Sequence, residues 1–435
     1  MSPRRVTGSF TGGAILAGFV AAALVACPVR GVSPARVAGP APAPQPTAAQ
    51  LLSSASRTFS GSGLALTPPM GWNGYNHFGK KVTASIVEAD ARAMVASGMQ
   101  AAGYTYVNLD GGWDLLKRSG NGNLQPNPRL FPQGMRPVAD YVHSLGLKFG
   151  IYASAGSRNC AGTSDGSYGH YLQDARTFAS WGVDYVKLDW CHIPFGDYPT
   201  MSHRQVSQTL ATQMRTALTA TGRAIIYDVN DTNWRIDKTP TWGAQAANLW
   251  RTTGDIRDSY ASMVQHFTRN VGNYAHAGPG AWNDPDMLEV GNGGMSTIEC
   301  QTQFSLWAEM AAPLIAGNDL PTMSAATRSI LTNASVIAID QDPLGRQGYP
   351  VASGGGHWVL TKPLANGDRA VVLFNQGDTP ATISTTAARV GLGGAAAYTL
   401  RNLWTGSLTR TAGDIAARVP AHGVVMYRVA KGVPL

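Results

Sequence analysis

Val183-Asp184-Tyr185-Val186-Lys187-Leu188-Asp189-Trp190-Cys191 is the stretch that decides the fold. Val183 to Leu188 has the β-branched, aromatic and aliphatic content of a buried strand, and it ends on a carboxylate. Alternation along a strand sends Lys187 and Asp189 to the same face, where the ammonium can hold the carboxylate ionised. Similar short apolar runs recur on both sides: Gly71 to Asn73, Tyr104 to Leu109, Phe149 to Ala153, Ala224 to Tyr227, Leu249 to Arg251, a weak one at His276 to Gly278, and Leu314 to Ala316. Between them lie amphipathic stretches: Ala84 to Met99, Met135 to Leu145, Leu172 to Trp181, His203 to Thr221, Ile256 to Val271 and Gln303 to Ala312. Strand and helix in alternation predict a parallel sheet, and eight such repeats predict a closed (β/α)₈ TIM barrel over residues 63–344.

A barrel of this kind carries its chemistry at the C-terminal mouth of its strands. The residues ending or following the runs are Trp72, Asp110, Tyr152, Asp189, Asp228 with Asn230, Arg251 with Asp255, Asp286, and Asn318 with Asp319. Paired carboxyl groups on a rigid frame are what glycoside cleavage needs, one to protonate the leaving oxygen and one to attack or to activate water. Asp189 has the position of the second. Asp255, where a strand gives way to a helix, has two readings: the partner carboxyl, or a helix N-cap. Asp110 and Asp286 likewise either face a ligand or tie down a loop.

The rest of the chain sets the context. Hydrophobic residues make up 44% and charged residues 14% of the 435, which predicts a globular protein. The net charge of +8 comes from scattered Lys and Arg, without the basic stripe that a nucleic-acid partner requires. Arg4 and Arg5 precede an uncharged stretch from Ala14 to Ala26, the layout of an export signal over residues 1–27. Leu24-Val25-Ala26-Cys27 reads either as a site for lipid attachment at Cys27 or as part of an ordinary cleaved signal, so the protein is expected to be secreted or lipid-anchored outside the membrane. Residues 28–62, rich in Pro, Ala, Ser and Gly, read as a tether. Cys160, Cys191 and Cys300 remain, enough for one disulfide and one free thiol, and no Cys/His cluster has metal-ligand spacing.

From about Gly345 the helical period stops. Alternating segments at His357 to Lys362, Arg369 to Phe374, Ala381 to Thr385, Tyr398 to Asn402 and Gly423 to Arg428, with an Asn366-Gly367 hairpin signal, predict an antiparallel β-sandwich domain over 345–435.

Thr67-Pro68-Pro69-Met70-Gly71-Trp72-Asn73, Asn108 to Trp113, Gly150-Ile151-Tyr152, Tyr185 to Cys191, Arg251 to Asp255, Gly280 to Met287, Asn318-Asp319-Leu320 and Asp340 to Gly345 together resemble the α-galactosidases of glycoside hydrolase family 27. The likeness runs in order from about Leu64 to Tyr349. It implies that Asp189 is the nucleophile and Asp255 the acid/base of a double displacement with retention. It implies that Trp72 stacks on the sugar, that Asp110 accepts bonds from its hydroxyls, and that Tyr152, Lys187, Arg251 and Asp286 line the same pocket. It implies a Cys160–Cys191 disulfide, leaves Cys300 as a buried free thiol, and calls for no metal or cofactor.

Two segments depart from that pattern. Asp110 is followed by Gly111 where the family usually has a second acid, and Asp228-Val229-Asn230-Asp231 stands where it often has a Cys-Glu-Trp segment, leaving Asn230 or Asp231 to make that sugar contact. Both changes bear on recognition. Terminal α-galactose is the expected substrate sugar; β-L-arabinopyranosides, α-N-acetylgalactosaminides and isomaltosyl α-glucans remain alternatives, as does a silent sugar-binding protein.

Overall fold

The computed structural model describes residues 63–432 except Thr232, so the export signal and tether expected at 1–62 lie outside the described residues. Eight parallel strands form the first domain: β1 (Met70–Asn73), β2 (Tyr106–Leu109), β3 (Lys148–Ser154), β4 (Tyr185–Asp189), β5 (Ile226–Asn230), β6 (Leu249–Arg251), β7 (Trp282–Asp284) and β8 (Leu314–Ala316). Neighbours follow chain order, and β8 pairs with β1. Leu288, just past β7, bridges Ala316 of β8 and closes the ring. Around it lie α1 (Ala84–Ala96), α2 (Arg136–Ser144), α3 (Tyr171–Trp181), α4 (His203–Thr219), α5 (Tyr260–Asn270), α6 (Thr297–Glu309), α7 (Ala325–Leu331) and α8 (Ala334–Asp340). Ser202 with Gln205 and Ser296 with Glu299 make reciprocal capping boxes that start α4 and α6.

Several expected boundaries move, among them the start of α6, which is Thr297 and not Gln303, and three of the shifts have a local reason. The seventh strand is Trp282–Asp284, whereas Gly278 forms only an antiparallel bridge to Ala281 in a turn. Its inward Asp284 had broken the apolar pattern. β5 runs on to Asn230 because Asp228 and Asn230 also face inward and carry the strand past its apolar part. The helix expected from Ile256 begins at Tyr260, capped by the Ser259 side chain on Ser262 N, so Asp255 lies in a loop and is not its cap.

The barrel interior is graded. At the bottom, Tyr106 and Tyr185 lie 5.6 Å apart with Leu249 and Trp282. Gly71 and Gly150 leave room for these rings: a Cβ on Gly71 would come 2.8 Å from Tyr106 Cβ, and one on Gly150 would come 3.0 Å from Tyr185 Cβ. The next inward positions are polar, with Lys187 beside Asp228 and Arg251 beside Asp284 in strand register.

The C-terminal domain is the expected antiparallel sandwich. β9 (Tyr349–Gly354), β10 (His357–Pro363), β11 (Arg369–Asn375), β13 (Tyr398–Asn402), β14 (Leu408–Thr411) and β16 (Val424–Lys431) form one sheet, and β12 (Ala381–Thr386) pairs with β15 (Asp414–Val419) in the other. Asn366-Gly367 makes the β10–β11 turn, with Gly367 at φ 88°. Trp358 stacks edge-on against Phe267 of α5, and Trp404 Nε1 donates to Ser305 Oγ of α6 at 2.9 Å. Both tryptophans of this domain are therefore spent on the barrel.

Candidate active site

A cavity of about 550 Å³ opens at the mouth of the strands, and its wall includes Asp110, Tyr152, Lys187, Asp189, Asn230, Arg251, Asp255 and Asp286. Strand alternation explains the set, because Asp189 and Asn230 end β4 and β5 on the inward side, level with each other in register. Asp189 Oδ1 accepts from Asn230 Nδ2 at 2.5 Å and lies 3.5 Å from Lys187 Nζ. Burial pushes Asp189 up to about 6 against the lowering effect of Lys187, and the charge on Asp110 adds to the rise.

Lys187 serves two carboxylates. Its Nζ donates to Asp110 Oδ2 at 2.7 Å, and Asn73 Nδ2 donates to the same oxygen at 2.7 Å. These bonds, with that from Gly111 N, hold Asp110 below the usual carboxylate range despite its burial. The two acids likewise outweigh burial on Lys187 and hold its pKa well above the ordinary value.

Arg251 organises the opposite wall. Its Nη2 donates to Gly254 O at 2.6 Å and to Asp286 Oδ2 at 2.8 Å, and it lies 3.3 Å from Asp255 Oδ1. Asp286 Oδ2 also accepts from Ile256 N at 2.8 Å, so this carboxylate grips the loop on both sides of Asp255. Asp286 sits at φ 80°, a left-handed conformation uncommon for a residue with a side chain. Trp307 Nε1, donating to Asp286 O at 2.8 Å, helps to hold it there. Asp255 itself stands at the rim, its side chain 89% exposed.

A disulfide joins Cys160, in the loop after β3, to Cys191, two residues past Asp189. Tyr152 OH accepts from Cys160 N at 3.2 Å, and the Cys160 sulfur touches Asp189 Oδ2 at 3.3 Å. Cys300 is free and buried. Among the described residues no group of three or more His, Cys, Asp or Glu side chains is arranged to hold a metal ion.

Two sequence candidates lie away from this wall. Trp72 is fully buried and donates from Nε1 to Asn318 O at 2.8 Å. Gly71 and Asn73 take the inward positions of β1, so Trp72 turns outward between sheet and helices. Asp231, the residue after inward Asn230, turns outward for the same reason and bonds Thr239 Oγ1 at 2.5 Å. Tyr75, Asn76, Lys80 and Arg257, which were not among the sequence candidates, do line the cavity. Tyr75 was within reach of the strand-end rule, since it lies just beyond β1.

A sugar-sized hollow lined by Asp110, Asp189, Asp255 and Asp286 at the mouth of a (β/α)₈ barrel has the layout of a glycoside hydrolase. Comparison with known proteins narrows the class. The family model described as "Alpha galactosidase A" matches residues 67–342, and that of the "Alpha galactosidase C-terminal beta sandwich domain" matches 354–429. The chain belongs to this α-galactosidase family, glycoside hydrolase family 27. An α-galactosidase of Oryza sativa is 44% identical over 366 residues, 84% of this chain and 85% of the relative. The structure of α-galactosidase I from Mortierella vinacea superposes with a TM-score of 0.81 at 32% identity, covering 86% of this chain and 99% of that one. The Saccharomyces cerevisiae α-galactosidase solved with raffinose gives 0.79 at 28% identity, covering 85% and 99%.

Proposed function

We propose that the chain is an exported, retaining α-galactosidase that releases terminal α-linked galactose from oligosaccharides of the raffinose type. Asp189 attacks the anomeric carbon while Asp255 protonates the departing glycosidic oxygen. Asp255 then takes a proton from the water that frees the sugar from Asp189. The reading is carried by one observation: Asp189 at the end of β4 and Asp255 in the loop after β6 line the same cavity. Their settings suit the two tasks. Asp189 is buried and fixed by Asn230 and Lys187, as a nucleophile that must meet one carbon should be. Asp255 is at the rim, where leaving group and water pass.

Asp110, Lys187, Arg251 and Asp286 supply the charged contacts for sugar hydroxyls, with Asn230 beside the nucleophile. Tyr75 and Tyr152 are the aromatic rings that reach the cavity, so Tyr75 takes the stacking part expected of Trp72. The export signal at 1–27, with lipid attachment at Cys27 as one of its two outcomes, belongs to the same proposal, and a disulfide beside the nucleophile suits an oxidising compartment.

The test is hydrolysis of an aryl α-galactoside followed by NMR of the first-formed sugar anomer. The α anomer should appear first, and Asp189→Asn should abolish turnover without lowering Tm. In Asp255→Ala, azide should restore turnover with an activated aryl leaving group and yield the α-galactosyl azide, because it displaces Asp189 from the β-linked intermediate. Initial release of the β anomer, or full turnover by Asp189→Asn, overturns the assignment.

A further inference from the structure

The residues just past Asp189 and Asn230 are bound into a second acidic network outside the barrel wall. Trp190 Nε1 donates to Ser207 Oγ on α4 at 2.9 Å, and Ser207 donates to Asp237 Oδ2 at 2.6 Å. Asp231 Oδ1 accepts from Asn233 N at 2.8 Å, and its Oδ2 accepts from Thr239 Oγ1 at 2.5 Å. The Asp231 carboxyl also meets that of Asp237 at hydrogen-bonding distance, and both residues are wholly buried. Asp237 Oδ1 has no donor among the described residues. The cations on the surrounding elements are Arg204 on α4, which donates to Thr241 Oγ1, Arg215 further along α4, which donates to Asn248 Oδ1 at 3.3 Å, and Arg235 and Lys238, both exposed in the same turn. His203 at the start of α4 stacks on Phe195. Neither acid has an ion pair among the described residues with any of these.

Two buried carboxylates in contact without a counter-cation are a costly arrangement. One proton held between them supplies the donor that Asp237 Oδ1 lacks and removes the repulsion. We propose that Asp231 and Asp237 share a single proton, and that this bridge makes them positioning residues which hold Asn230 against Asp189. Asn230 and Asp231 are adjacent, so the outward anchor of one fixes the inward aim of the other. Through Ser207 and Trp190 the same bridge also reaches the residue after Asp189. Burial, with the charge of Asp237 adding, pushes Asp231 up to about 7. When the shared proton leaves, the carboxylates repel, the turn from Asn233 to Thr239 gives way, and the Asn230 bond that favours ionised Asp189 loosens.

The inference rests on the reading of Asp189 as nucleophile, and two variants separate the two ideas. Asp237→Asn replaces the shared proton with a permanent N–H donor to Asp231 while its oxygen still accepts from Ser207. Asp237→Ala removes the bridge. With the full chain and an aryl α-galactoside, Asp237→Asn should keep kcat within about threefold of wild type at pH 5 and carry the alkaline limb of kcat upward by at least half a pH unit. Asp237→Ala should lose about tenfold in kcat at pH 5, with KM within twofold and the acidic limb raised. An unmoved alkaline limb in an active Asp237→Asn enzyme overturns the bridge, as does a wild-type profile in Asp237→Ala. If Asp237→Ala does not fold, the Asp237→Asn profile alone decides. Failure of the nucleophile reading looks different, because it shows as turnover retained by Asp189→Asn.

Discussion

Replacing Lys187 with Met keeps the length of the side chain and removes the one cation shared by Asp110 and Asp189. At 3.5 Å and an effective dielectric of about 20, the Lys187–Asp189 attraction is roughly 5 kcal/mol, an upper limit of about three and a half pKa units. Part of it is recovered when the freed Asp110 takes up a proton and ceases to repel Asp189, so a rise of one to three units is expected. Asp189 already stands at about 6 with Lys187 in place, and the loss of a lowering influence can only move it further up. Its ionised fraction at pH 5 is then about a tenth before the change and about a thousandth after a two-unit rise. The consequence is an acidic limb of kcat/KM displaced upward by one to three pH units and a fall of tenfold or more at pH 5, with the deficit shrinking as pH rises. The assay is kcat/KM on an aryl α-galactoside from pH 3.5 to 9. An acidic limb within about 0.3 units of wild type, in a Lys187→Met protein that folds, refutes the claim that Lys187 governs the ionisation of Asp189.

Four other perturbations have definite outcomes. Cys160→Ser with Cys191→Ser opens a loop of sequence separation 31, for which chain entropy assigns about 3.7 kcal/mol; calorimetry should show Tm lower by roughly 5–8 °C, and kcat should fall because Tyr152 and Asp189 lose a shared support. Gly111→Ala places its Cβ 3.4 Å from the Tyr152 ring, an ordinary contact, and should leave stability within about 0.5 kcal/mol in urea unfolding. Gly112→Ala, at φ 103° with Lys80 Cβ 2.9 Å away, should cost about 1–3 kcal/mol in the same measurement. Glu309, buried at the end of α6 and pushed up to about 8 by burial with Lys362 opposing, should contribute stability at low pH that is lost as pH rises from about 4.5 through 8. Glu309→Gln should therefore be close to wild type in Tm at pH 5 and more stable at pH 8.5, which a pH series of melting curves checks directly.

Where polar residues follow a strand, the alternation of apolar runs located the barrel and its mouth well. Where they lie inside one, it failed. Asp228 and Asn230 belong to β5, and Asn283 with Asp284 fills most of β7, so these two strands carried a weak hydrophobic signal although β4, which ends on Asp189, carried a strong one. The inward or outward sense of a side chain was the second blind spot. Placing Trp72 or Asp231 on the cavity rather than behind it needs the register of the whole ring, because one step along a strand reverses the face. β14, exposed over its first three residues, has no apolar alternation to tell it from a loop.

The same inward polar stack bears on how the site manages charge. Lys187 and Arg251 are the cations of the barrel interior, and five aspartates, Asp110, Asp189, Asp228, Asp284 and Asp286, are gathered with them on inward positions. The cations face the upper acids directly: Lys187 bonds Asp110, and Arg251 bonds Asp286. Asp228, one layer lower, has Tyr185 OH at 2.8 Å as its donor, and burial with the nearby Asp284 pushes it up to about 8. It is therefore mostly protonated at neutral pH and adds little negative charge. Asp284 is at about 6, pushed up by burial against the charge of Arg251, so it ionises across the same range as Asp189. As pH rises through 6 the floor beneath the sugar becomes negative together with the nucleophile. A developing oxocarbenium ion is a positive charge, so this joint ionisation stabilises the transition state as well as arming Asp189. On that account Asp284→Asn should lower kcat while leaving KM nearly unchanged, since the charge it removes acts on the transition state and not on the neutral ground-state sugar. Equal losses in affinity for galactose and in kcat/KM, measured by product inhibition and steady-state kinetics on the same preparation, would assign Asp284 to binding instead.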